Sequence, residues 1–189
     1  MEITSRGLWT LVHGMGFGAL YLLACSGALF ELYRATLARG QTSTPESDRF
    51  LRAYLLCMAV IAWATVFSGA YVVYPWYRAA PPAGMSNLAA YPQALLRSSP
   101  ATAQWHSFGM EWKEHVAWIV PISITMVTAT FFRFREHLRT CRQLRAAVLS
   151  FALVSFIAAG VAGFFGAMIT KVGPVQGGSR IQLLHGDEK

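Results

Sequence analysis

Apolar residues run almost unbroken through Leu8–Leu32, Phe50–Tyr74, Val116–Phe132 and Ala146–Ile169, and polar residues are gathered between these runs. A membrane-spanning helix needs roughly 20 apolar residues. Three runs meet that length, and Trp112 to His115 extend the third helically into the interface. The pattern predicts an all-α integral membrane fold. It is a four-transmembrane-helix bundle with helices over about 8–33, 50–74, 112–133 and 146–170, forming a single membrane domain over 1–189. The first run is longer than the 7–15-residue core of a signal peptide, and Glu31, Tyr33 and Arg34 follow it in place of a small-residue cleavage site. It is read as a retained helix.

The connections carry their own signals. Ala38–Ser47 is polar, contains Gly40 and Pro45, and reads as a turn. The second helix ends in Tyr-Pro-Trp-Tyr-Arg at 74–78, where Pro75 disfavours continuation and the aromatics suit an interfacial belt. The long loop over 78–111 holds Pro81, Pro82, Gly84 and Pro92, and its weakly amphipathic part, Leu88–Leu96, is expected on the membrane surface. Ser99 and Pro100 suit an N-cap and first helical residue. A helix is expected from there through Trp105, Trp112 and Trp118, with Gly109 interrupting it and Pro121 kinking it. Gly160, Gly163 and Gly166, with Ala159 and Ala162, predict close packing of the fourth helix. The tail over 172–189 is expected to be flexible, with Ile181–Leu184 as its one segment suited to docking on a partner.

Composition agrees. The chain of 189 residues is 54% hydrophobic and only 13% charged, about half the charged share of a soluble domain. The net charge of +7 does not mark a nucleic-acid binder, because nine of the sixteen basic residues sit in two short connections. Arg34, Arg39, Arg49 and Arg52 flank the first, and Arg133, Arg135, Arg139, Arg142 and Arg145 the second. The positive-inside rule puts both in the cytoplasm, with both termini and the long loop outside. The expected location is a bacterial cytoplasmic (inner) membrane with the outer side periplasmic. Cys25 and Cys57 fall mid-span and Cys141 in a connection, without a Cys-x-x-Cys-His motif, so no disulfide and no covalent haem is expected.

The candidate chemistry lies in the histidines. His13 sits one to two turns inside the first span, and His115 at the head of the third at similar depth. Ionisable residues inside a bilayer are costly and mark functional sites by default. Two imidazoles facing each other across a bundle suit the axial positions of a haem iron. The cofactor expectation is therefore one haem b near the outer face, ligated by His13 and His115, with Gly16 allowing close approach and Arg78 at the level of a propionate. His106, nine residues before His115 and about half a turn away, is the runner-up ligand. His137 and His185 lie elsewhere, so a second haem is not expected. A competing use of Glu111, Glu114, His115 and His13 is a non-haem metal site, but the Glu-x-x-x-His at 111–115 has no second copy.

In layout and paired histidines alone, the chain resembles small b-type cytochrome membrane subunits. That resemblance implies electron transfer between a membrane or quinol partner and an outer redox protein. The alternative expectation is a cofactor-free structural or anchoring subunit of a larger membrane complex, in which the histidines only bond across helices. No mid-span acidic residue argues for a transporter, since Glu31 and Glu136 are at helix ends.

Overall fold

A computed structural model describes residues 2–37 and 45–182. Four helices are long and apolar enough to cross a membrane: α1 (Ser5–Arg34), α2 (Glu46–Tyr77), α4 (Pro100–Leu138) and α5 (Arg142–Val172). A short helix, α3 (Pro92–Arg97), lies in the long connection. The long helices form a ring in which α1 touches α2, α2 touches α4, α4 touches α5, and α5 returns to α1. The chain is thus a multi-pass helical bundle.

Each helix gives the core one stripe at helical spacing. α1 buries Tyr21, Cys25, Ala28 and Leu32; α2 buries Leu55, Met58, Ala59 and Ala62. α4 adds Val120, Ile124, Val127 and Phe131; α5 adds Val148, Ala152, Ser155 and Ala158. Many of these are small, whereas Leu23, Phe30, Leu56, Val60, Ile157 and Phe164 point outward. Lipid is as apolar as a leucine side chain, so burial alone does not drive association, and close packing with interhelical hydrogen bonds takes its place. Such bonds are present mid-bundle. The Tyr21 and Ser155 hydroxyls meet at 2.5 Å, and Ser155 donates to the Val120 carbonyl at 2.9 Å. Tyr54 donates to the Ala24 carbonyl at 2.7 Å, its hydroxyl occupying the space that Gly27 leaves.

The chain ends meet at one end of the bundle. Strand β1 (Glu2–Thr4) pairs antiparallel with β2 (Arg180–Gln182), Ile3 opposite Ile181. The hydrophobic segment expected to dock on a partner therefore begins by docking on the chain's own N-terminus, and 180–182 is structured rather than free. Leu183, Leu184 and His185 lie outside the described residues, as do 38–44 of the expected turn. The segment expected on the membrane surface packs against the end of the bundle. α3 buries Pro92 and Leu96, and Gly173 at the end of α5 approaches the Pro92 carbonyl so closely that a Cβ there would lie 3.0 Å from it.

Three stretches of π-helix interrupt the long helices, all in the half of the bundle that carries the termini: Val12–Ala19, Gly69–Val73 and Trp105–Met110. The second accounts for a departure from expectation. The Tyr74 amide bonds back five residues to Gly69, so the register has already slipped when Pro75, which lacks an N–H, arrives. The helix continues to Tyr77. The third contains Gly109, where an interruption was expected. The Pro121 kink shows as a turn over Val116–Trp118, and Ile119 and Val120 bond back only three residues there. A proline ring clashes with the carbonyl four residues before it, here that of Ala117.

Candidate functional site

The π-helical half brings polar groups from four helices together. His13, on α1, donates or accepts through Nδ1 at 3.0 Å from Ser68 Oγ on α2. Ser68 Oγ in turn donates to the Thr65 carbonyl at 3.1 Å, and that carbonyl also lies near the His13 ring. With its proton committed to Thr65, the serine oxygen accepts, which makes Nδ1 the protonated nitrogen and leaves the lone pair on Nε2. This tautomer follows from the network rather than from an observed hydrogen. Among the described residues no hydrogen bond ends on Nε2. Gly69 makes the arrangement sterically feasible, since a Cβ there would lie 2.7 Å from His13 Cε1.

Lys113, on α4, completes this level. It is half-buried, its ammonium lies within electrostatic range of His13, and a Cβ on Gly166 of α5 would lie 3.0 Å from Nζ. Among the described residues no carboxylate pairs with it. One residue earlier, Trp112 Nε1 is buried without an acceptor, its ring tilted against Phe165 at 6.3 Å. Unpaired donors in such a place are costly, and an unpaired cation more so.

A second polar group lies beside this one. The Tyr77 hydroxyl meets His106 Nδ1 at 2.8 Å, and His106 Nε2 lies 3.3 Å from Gln93 Nε2 on α3. The Glu114 carboxylate faces the Tyr74 hydroxyl, which also receives Arg78 Nη1 at 2.7 Å. Both His106 nitrogens are therefore engaged.

His115 is placed differently from His13. Its side chain is 72% exposed, and Nδ1 lies 3.0 Å from the Glu111 carbonyl and 3.7 Å from the Glu111 carboxylate. The level agrees with expectation, because Lys113 two residues away is near His13, but the direction does not. Two residues turn a helix by about 200°, so the face that turns Lys113 inward turns His115 outward. His106, seven residues before Lys113, shares the inward face. Gly109 fixes this rotation by letting α4 close on Phe165, where a Cβ would meet Cδ1 at 3.0 Å.

Gly16 is exposed, with only Val12 beside it, and Arg78 is exposed and lies over the Tyr74 ring. His137 is exposed at the opposite end. Of the three glycines on α5, only Gly166 is tightly approached; nothing lies within 4 Å of a Cβ on Gly160, and only Leu22 near one on Gly163. Among the described residues no group of three or more His, Cys, Asp and Glu side chains is set to hold a metal ion, so the Glu111, Glu114, His115 and His13 set is not assembled. Lys113 does not stand out in the sequence, where it lies between Glu111 and Glu114. The available signal was its seven-residue spacing from His106.

The fold and the site define a class, a four-helix membrane protein with a polar centre in the terminal half of the bundle. Comparison with protein-family models, curated proteins and solved structures returns no match.

Proposed function

We propose that the chain is a membrane-embedded redox subunit of b-type cytochrome character, holding one haem b in the terminal half of the bundle with His13 as an axial ligand. The observation that carries this reading is the His13 ring, held through Nδ1 by Ser68 while Nε2 has no partner. A metal-ligating imidazole usually donates its other N–H to an oxygen in this way, which fixes tautomer and orientation. Two further groups suit the same occupant. Lys113 and the Trp112 N–H lack acceptors, and a propionate carboxylate supplies one, a role that falls to them rather than to Arg78. Haem, when bound, supplies a one-electron couple; the chain's residues hold it, exclude water and set its electrostatic surroundings. Electrons would pass between a membrane or quinol partner and an outer, periplasmic redox protein in a bacterial inner membrane.

A cofactor-free structural subunit is the second reading. What favours it is that His106 is saturated by Tyr77 and Gln93, and that His13 already bonds across helices to Ser68.

A reduced-minus-oxidised spectrum with a pyridine haemochrome assay on the purified full chain separates the two. A b-type signal near one haem per chain, lost in His13→Ala and kept in His137→Ala, is the expected result. A low-spin form further requires a second axial ligand, and its loss in His115→Ala or in His106→Ala identifies which histidine supplies it. Intact protein recovered with its native partners and no haem leaves the structural reading in place.

A further inference from the structure

The opposite end of the bundle holds a cavity of about 220 Å³ walled by Asp48, Arg49 and Arg52 of α2 and by Arg135 of α4. Asp48 pairs with Arg135, and among the described residues the wall sets three arginines against one carboxylate. Arg52 lies over the Phe132 ring at 5.5 Å, and its Nε is buried without a hydrogen-bond partner. A buried guanidinium N–H with no acceptor costs more than a neutral one, and an anion relieves it. The Phe132 ring under Arg52 is itself 44% exposed and gives the site an apolar edge.

We propose that this cavity binds the phosphate group of an anionic phospholipid, with Arg49, Arg52 and Arg135 around the phosphate and an acyl chain along Phe132. Basic pockets between spanning helices at the arginine-rich side suit such headgroups. A free phosphate uses the same arginines but gains nothing from the exposed Phe132 ring, and this favours the lipid.

The test is native mass spectrometry of the detergent-purified full chain, titrated with phosphatidylglycerol, phosphatidylcholine or inorganic phosphate. The expected result is preferential retention of phosphatidylglycerol. Removal of a single arginine, in Arg49→Gln or Arg52→Gln, is expected to weaken retention about fivefold. Arg142→Gln, an exposed arginine outside the cavity wall, leaves it unchanged. Circular dichroism checks that each variant keeps its helices, and Arg49, which is exposed, is the substitution least able to disturb packing. Equal retention of phosphatidylcholine, or wild-type retention in both arginine variants, overturns the proposal. Saturation by inorganic phosphate at the same concentration reassigns the site to a free anion and overturns it as well.

Discussion

Gly69 and His13 depend on each other at the polar centre. The imidazole occupies the volume a side chain on Gly69 would take, and Ser68 beside it holds the ring. Gly69→Ala therefore displaces His13 without touching its chemistry. It is expected to abolish the haem signal as fully as His13→Ala does, and Ser68→Ala to weaken haem retention by about 10–100-fold. Haem content per chain measures both, and a Gly69→Ala protein with a full signal would show that His13 is not the ligand. Lys113 gives a prediction of opposite sign. An ammonium half-buried without a counter-charge burdens the empty protein, so Lys113→Met is expected to stabilise the cofactor-free chain by about 1 kcal/mol or more. Thermal unfolding in detergent reads this. A lower melting temperature means that the lysine has a stabilising partner inside the bundle.

At the scale of elements, three helices are tied by one small hydroxyl. Ser155 of α5 meets Tyr21 of α1 and donates to the Val120 carbonyl of α4. Ser155→Ala leaves the Tyr21 hydroxyl buried without its partner, while Tyr21→Phe removes both the hydroxyl and the need for one. The first is expected to cost about 1 kcal/mol and the second less, measured by unfolding in detergent and SDS mixtures. Equal costs would mean that the Tyr21 hydroxyl finds another acceptor. The four long helices were legible in the sequence because lipid demands apolar residues all round and leaves the polar breaks conspicuous. The inward stripe was much less so, since in such a helix hydrophobicity does not separate core from lipid. Side-chain size does so in part, with Ala28, Ala62 and Ala152 inside and Leu23, Val60 and Ile157 outside. The face of α4 was misjudged for a related reason. Position along the sequence gives the depth of His115 but no anchor for its rotation, and the anchor is the contact of Gly109 with Phe165. The π-helical slips at Gly69–Val73 and Trp105–Met110 arise from packing between helices and leave no local signature beyond the glycines they contain.

On the scale of the whole molecule, the two ends of the bundle differ in what they carry. One end gathers the termini, α3, the π-helical segments and the polar centre around His13 and Lys113. The other gathers most of the described arginines and the cavity at Arg52, while Arg6, Arg78, Arg97 and Arg180 lie at the first. Under the positive-inside rule this polarity predicts a cytoplasmic arginine end and an outward-facing polar centre, the side from which the proposed outer redox partner would approach. The native cysteines test the orientation without engineering. Cys25 is buried in the core, Cys57 faces outward within a span, and Cys141 lies between α4 and α5 at the arginine end. Only Cys141 therefore meets water. A membrane-impermeant maleimide is expected to label the chain in inverted vesicles and not in right-side-out ones, and Cys141→Ser is expected to abolish the labelling. Labelling of right-side-out vesicles through Cys141 would invert the topology. It would put the His13 centre on the cytoplasmic side, where an outer redox protein has no access to it, while leaving the geometry of the site and its test by spectroscopy intact.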